Sequence, residues 1–258
     1  VTMFHAYDIR LGLEKGKEVY KYLLKNGDCF LSISDYDYRN LLIFGVDPKK
    51  IVMHPVGIDV KRFPFCPSTG QKRAADQPIK ILSIGRLAEV KGFGGGIMAI
   101  FELFKKDPSI NIEYNIIGMG PLKESLQAAV KELDLEGVIH FLGEKKREDV
   151  IKALVESDIY FLPSTHEALP MVLMEAQAVG LPVVATDVGS TTEIVLDAQS
   201  GFIVPEGDIG EMAERLGYLI QYPDLWPEMG KTGREYVKKH YDINMLNDKL
   251  VEIYRELV

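Results

Sequence analysis

The chain has 258 residues, 47% of them hydrophobic and 26% charged, enough for one large core or two smaller ones in an ordinary globular protein. Lys plus Arg number 30 against 38 Asp plus Glu, and the resulting net charge of −8 has the wrong sign for a general nucleic-acid binder. The basic clusters Lys49-Lys50, Lys145-Lys146-Arg147 and Lys238-Lys239 are too short for a polyanion or membrane patch and read as solvated helix ends. Cys29 and Cys66 make neither a disulfide framework nor a metal site and suit a reducing compartment, and the five histidines lack metal-ligand spacing. No apolar run reaches transmembrane length, and no signal peptide is visible.

In chain order, Val1-Thr2-Met3-Phe4 opens as the middle of a strand, so the chain is expected to be a piece of something longer. Apolar runs at 29–33 and 51–54 read as two more strands. Asp35-Tyr36-Asp37 is literally an Asp-x-Asp, but after a strand and at a helix start it reads as a cap, with Ser34 or Asp35 in the N-cap role. The stretch 63–78 carries Pro64, Pro67, Ser68, Thr69, Gly70 and Pro78 and few large apolar side chains, as a linker does. Beyond it, strand-like runs at 79–84, 112–117, 138–142, 159–162 and 182–185 alternate with amphipathic stretches at 121–133, 147–156 and 171–179. Helical patterns near 209–221, 223–240 and 243–257 fill the last third. Alternating periods of this kind predict an α/β protein with parallel sheets. The expected division is the C-terminal part of an incomplete Rossmann-like unit at 1–66, a linker at 67–78, a complete unit at 79–240, and a last helix at 241–258 packing back toward the first unit.

Two constellations carry chemistry. Gly85-Arg86-Leu87 with Lys91-Gly92 follows the first strand of the second unit, and ligands of open parallel sheets bind at the carboxyl ends of strands. Arg86 and Lys91 there suit a diphosphate and the charge that builds as it leaves. The second constellation is Pro163-Ser164-Thr165-His166-Glu167-Ala168-Leu169-Pro170-Met171, leading into a helix that holds Glu175 and ends at Gly180. The backbone N–H groups of Leu169 and Met171 open that helix, where unpaired donors and the dipole favour anions. Glu175 is placed for ribose hydroxyls and Glu167 for a sugar, while Met171, Val172 and Leu173 read as core. Gly92-Phe93-Gly94 and Gly118-Met119-Gly120 do not complete a dinucleotide fingerprint. Ser190-Thr191-Thr192-Glu193 fits a capping box, and Asp208 with Glu211 resembles one.

Arg86, Lys91, the Glu167-to-Glu175 segment and Gly180-Leu181-Pro182-Val183-Val184-Ala185-Thr186 together resemble the GT4 family of retaining glycosyltransferases, of group 1 type and GT-B fold. Further matches are Gly118-Met119-Gly120-Pro121, Phe141-Leu142-Gly143, Gly189 with Glu193, and 200–205. Phe4-His5-Ala6-Tyr7-Asp8, Ser34-Asp35 and Pro55-Val56-Gly57-Ile58-Asp59 look like the second half of that family's acceptor domain. The resemblance implies two facing Rossmann-like domains, the first incomplete, with C-terminal helices. It implies catalytic roles for Glu167, His5, Arg86 and Lys91, with Arg86 and Lys91 on the diphosphate, Glu175 on the ribose and Glu167 on the sugar. His5 would reach across from the acceptor domain, and Gly143 and Glu144, with Lys145, would border the base. Gly118, Ala168, Leu169, Pro170 and Met171 complete the expected binding set. Ala6 and Ala168 replace common glycines of the family.

The expected activity is hexosyl transfer from a UDP- or GDP-sugar to a glycan or lipid-linked hydroxyl, with retention, in polysaccharide biosynthesis. The nucleotide sugar is co-substrate, and neither cofactor nor metal is expected. The expected location is cytoplasmic, with membrane contact through a preceding segment. Open alternatives are a nucleotide-sugar-binding fragment without transferase activity and a nucleotide-sugar epimerase of the same architecture. Gly94-Gly95-Gly96 stands where a helix should start, and nothing in the sequence accounts for it.

Overall fold

The computed structural model describes residues 1–4, 6–67 and 77–257. Three short strands, β1 (Thr2–Phe4), β2 (Phe30–Ser32) and β3 (Ile51–Met53), pair in parallel in the order β1-β2-β3. Helices α1 (Ala6–Lys15), α2 (Lys21–Asn26) and α3 (Asp35–Phe44) are interleaved with them. Phe4, Ile9, Phe30, Leu41, Phe44, Val46 and Ile51 form a small core. Ser34 caps α3, its hydroxyl accepting from the Asp37 amide at 3.1 Å, and Gly45 in the left-handed region closes it.

The second sheet has six parallel strands: β4 (Ile79–Ile84), β5 (Ile112–Ile117), β6 (Ile139–Gly143), β7 (Ile159–Leu162), β8 (Val183–Thr186) and β9 (Gly201–Val204). Their crossovers are α4 (Phe93–Lys106), α5 (Lys123–Glu132), α6 (Arg147–Val155), α7 (Met171–Val179) and α8 (Thr191–Ile194). Helices α9 (Ile209–Gln221), α10 (Trp226–His240) and α11 (Ile243–Glu256) follow. The order β6-β5-β4-β7-β8-β9 is doubly wound, so the chain changes direction across the sheet between β4 and β7. Two large cores line its faces. One is built around Ile81, Tyr114, Phe161 and Trp226, the other around Leu82, Tyr160, Leu173 and Met174. Burial on both faces explains why β7 and β8 in particular read as near-continuous apolar runs in the sequence. The architecture is the expected α/β one with parallel sheets.

The edge strand β9 does not appear among the sequence-predicted strands; its four residues are bounded by Ser200 and Pro205 and show no period of their own. The 223–240 pattern divides into a 3-10 turn at Pro223–Leu225 and α10. Most of the linker expected at 67–78 lies outside the described residues. After α10 the chain returns to the first sheet. Ile58 N donates to Tyr241 O and Ile243 N to Ile58 O, both at 2.9 Å, and a His54 ring nitrogen lies 2.9 Å from Leu246 O. Leu250 and Ile253 of α11 then pack on Cys29, Leu31 and Val52.

The glycine triplet divides into two kinds of position. Gly94 and Gly95 sit in the first turn of α4 with nothing within 4 Å of where a Cβ would be. Gly96 packs tightly, its would-be Cβ 3.0 Å from Pro163 Cγ and 3.2 Å from Phe161 Cε1. Gly94→Ala and Gly95→Ala should each stabilise the fold by about 0.5 kcal/mol, because helical alanine loses less backbone entropy than glycine. Gly96→Ala should not. Urea midpoints of the three variants check this.

Candidate functional site at the switch point

The loops leaving β4 and β7 meet above the switch point. Lys91 Nζ donates to Glu167 Oε1 at 2.6 Å, joining two side chains 76 residues apart in the sequence. Ser164 Oγ donates to the same oxygen at 2.7 Å, which leaves Glu167 Oε2 without a partner among the described residues. Ser164 is fully buried, and its carbonyl accepts from Thr186 Oγ1 at 2.5 Å, so the serine is itself fixed by β8. Both ends of the pair are sheltered, with the lysine side chain 22% exposed and the glutamate 8%. The two constellations therefore converge on one end of the sheet.

Two glycines let these loops approach. At Gly92, with φ +60°, an added Cβ would fall 1.8 Å from Pro163 O. At Gly189, with φ +58°, it would fall 1.7 Å from Glu167 O. Only glycine tolerates both the left-handed conformation and that contact. The loops after β4, β7 and β8 are thus held backbone against backbone, which fixes the carboxylate of Glu167 more firmly than a free loop could.

Arg86 is exposed just past the end of β4. With Gly85, Gly118, Met119, Glu144 and Lys145 it lines a cleft of about 320 Å³. Gly85 joins the cleft to the lysine, since a methyl placed on it would sit 3.4 Å from Lys91 Cδ. Among the described residues the Arg86 guanidinium forms no ion pair. Gly118 N donates to Gly143 O at 2.9 Å, which sets the mouth of β5 against that of β6. A larger groove of about 610 Å³, lined by Leu103, Lys106, Gly217 and Tyr218, lies between α4 and α9. It sits at the C-terminal end of α4, hence toward the amino ends of the strands and away from these groups.

Pro170 occupies the N-cap of α7 rather than its first turn. Met171 is 40% exposed at the helix mouth and not part of the core, whereas Leu173 is fully buried. The sequence misplaced Met171 because the 171–174 run is apolar on all sides. Ala168 and Leu169 are half-buried, and the Ala168 carbonyl accepts from Ser190 Oγ. Ser190 therefore does not close a capping box with Glu193, whose carboxylate instead reaches the first lobe and accepts from Asp35 N.

Glu175 is buried one turn into α7, where Arg147 Nη1 donates to its Oε1 at 2.7 Å. Burial raises the Glu175 carboxyl above its ordinary range, and Arg147 works against that rise. The Arg147 guanidinium also lies 5.1 Å from the centre of the Phe63 ring. Lys145-Lys146-Arg147 form an exposed helix start, as the sequence reads, but two of the three also face the site. Arg147 is paired with a buried acid, and Lys145 lines the cleft. Ser164 and Arg147 are the site residues the sequence reading missed. Their signals were position alone: a serine three residues before Glu167, and a cation opening the helix after β6. His5 lies outside the described residues.

A doubly wound parallel sheet thus gathers Arg86, Lys91 and Arg147 with the buried carboxylates Glu167 and Glu175 at one end, beside a second parallel sheet, an architecture of the GT-B class shared with the solved neighbours below. A family model described as glycosyl transferases group 1 matches residues 68–236, and the chain belongs to that family. It is 35% identical to the amylovoran biosynthesis glycosyltransferase AmsK of Erwinia amylovora over 266 residues, covering 100% of this chain and 64% of AmsK. The chain thus spans less than two thirds of the length of that relative. Among solved structures, sucrose-phosphate synthase from Thermosynechococcus elongatus superposes with TM-score 0.81 at 23% identity, over 99% of this chain and 67% of that one. HepE of Anabaena in complex with UDP-glucose gives TM-score 0.82 at 20% identity, over 98% and 72%. At these identities the superpositions speak for the fold.

Proposed function

We propose that this chain carries the donor-sugar side of a retaining glycosyltransferase that moves a hexose from a nucleotide-diphosphate sugar to a hydroxyl of a growing polysaccharide. The observation that carries the reading is the Lys91–Glu167 pair at 2.6 Å, set beside the Arg86 cleft at the switch point. In this reading Arg86, Lys91 and the open N-terminus of α7 hold the diphosphate. Charge accumulates on that leaving group as the sugar–phosphate bond breaks, so stabilising it governs the rate. Lys91 neutralises it without a metal. Glu167 Oε2 meets the sugar hydroxyls, and Glu175, through the oxygen not held by Arg147, meets the ribose. The cleft bordered by Gly118, Glu144 and Lys145 takes the base. That HepE of Anabaena forms a complex with UDP-glucose supports a nucleotide-sugar donor, and the name of AmsK supports polysaccharide assembly.

Calorimetry with UDP and 2′-deoxy-UDP, on the wild type and on Glu175→Ala, tests the assignment. The wild type should prefer UDP by about tenfold, the worth of one buried hydrogen bond to a charged group. The variant should bind both alike. Equal discrimination in both proteins would remove Glu175 from the ribose.

A further inference from the structure

Glu193 does not line the cleft, yet it is the meeting point of three parts of the fold. Its two carboxylate oxygens accept from Asp35 N at 3.0 and 3.1 Å, so a side chain of the second lobe caps a helix of the first across 158 residues of sequence. Its carbonyl accepts from the hydroxyls of Tyr236, at 3.0 Å, and Tyr241, at 2.8 Å. Tyr241 O in turn receives Ile58 N at 2.9 Å, where the chain crosses back to the first lobe. The other end of the same short segment touches the donor loop. Gly189 presses on the Glu167 carbonyl, and Ser190 Oγ donates to Ala168 O. Ser190 and Thr191 between them are fully buried, and Thr191 Oγ1 is tied to Thr186 O at 2.8 Å and Val188 N at 3.1 Å. Five residues therefore run from the backbone of Glu167 to the N-terminus of α3 with hydrogen bonds at both ends and little room to flex.

We propose that Glu193 is a positioning residue: by capping α3 it sets the register of the first lobe against residues 164–171, so the Glu167 loop is held in place only while the two lobes are fastened. A carboxylate on a helix N-terminus is a charge-assisted contact, which adds a directional fastening to the apolar contacts of Ile58, Val60 and Phe63 with the second lobe. Being placed between two sites does not make a residue a coupler, so the test must read both ends. The link from the loop to donor binding rests on the function proposed above; the link between the lobes does not.

The experiment measures amide hydrogen exchange over residues 34–38 and 164–171, together with UDP affinity by calorimetry, in the wild type, Glu193→Ala and Asp35→Pro. The second variant removes the partner amide from the opposite lobe. Proline suits the first position of a helix, and the preceding Ser34 is already extended, with φ −158° and ψ 163°. Each variant should raise exchange at the start of α3 by about five- to tenfold, the worth of one cap. Exchange across 164–171 should rise with it, and UDP affinity should fall by about three- to tenfold. Faster exchange at α3 alone, with an undisturbed donor loop and unchanged UDP affinity in both variants, would overturn the proposal and leave Glu193 a simple cap. Coupled exchange in a wild type that takes up no UDP would uphold the lobe coupling and remove the donor reading instead.

Discussion

Replacing Lys91 with alanine should lower the turnover of the full-length protein by about two to three orders of magnitude, the cost of removing one preorganised charge from a developing oxyanion. The loss should fall on kcat more than on KM, because the ammonium matters most when the diphosphate carries its full charge. A second consequence separates this from a general loss of fold. Lys91 is the cationic partner of Glu167, so its removal leaves a nearly buried carboxylate with only the Ser164 hydroxyl. Lys91→Arg keeps the charge and should recover part of the rate, though a planar guanidinium cannot reproduce the 2.6 Å contact of a compact ammonium. If Lys91→Ala and Lys91→Arg were equally impaired with unchanged melting temperatures, shape rather than charge would be the property required of this position.

The second large effect concerns stability. Asp37 of α3 is fully buried, and neither carboxylate oxygen has a hydrogen-bond partner among the described residues. Burial first, then the negative charges of Glu193 and Asp8, push its carboxyl from 3.8 up to about 7. The folded protein thus holds a proton on Asp37 that the unfolded chain releases between those pH values. Its contribution to stability is fully present below pH 3.8 and is lost as the pH rises through about 7. A shift of this size corresponds to a few kcal/mol, on the order of 2–4. Asp37→Asn removes the titration but introduces an amide that needs partners of its own, at a cost of about 1–3 kcal/mol. The variant should therefore equal the wild type or fall slightly below it at pH 5, and exceed it by about 1–3 kcal/mol at pH 8. Urea unfolding at the two pH values reads this directly. A variant less stable than the wild type at both would mean that the buried carboxylate is satisfied when ionised.

The parallel sheets and their order of appearance were legible because β4, β5, β7 and β8 are buried on both faces, and such strands announce themselves as apolar runs between turn signals. β9 was not, since it opens on Gly201 and leaves only Phe202-Ile203-Val204 before Pro205, too short an apolar run to stand out from a loop. The site divides along the same line. Arg86, Lys91, Glu167 and Glu175 could be placed at one end of the sheet because each follows a strand, and position after a strand is a local property. What each side chain touches is not local. Arg147 lies 28 residues before Glu175, Ser164 shares with Lys91 a single oxygen of Glu167, and Glu193 reaches 158 residues back to Asp35. No window of sequence contains such pairs. The capping-box reading of Ser190 to Glu193 shows the hazard plainly, since a correct local pattern lost to two tertiary partners.

In the proposed function a nucleotide diphosphate binds in the crevice between β4 and β7. Following backbone amide resonances during a titration with UDP tests this most directly. The perturbed amides should cluster in residues 85–92, 118–119, 143–145 and 164–171, at the carboxyl ends of β4 to β7. Perturbations confined to the α4–α9 groove around Leu103 and Tyr218, with those four loops silent, would contradict it.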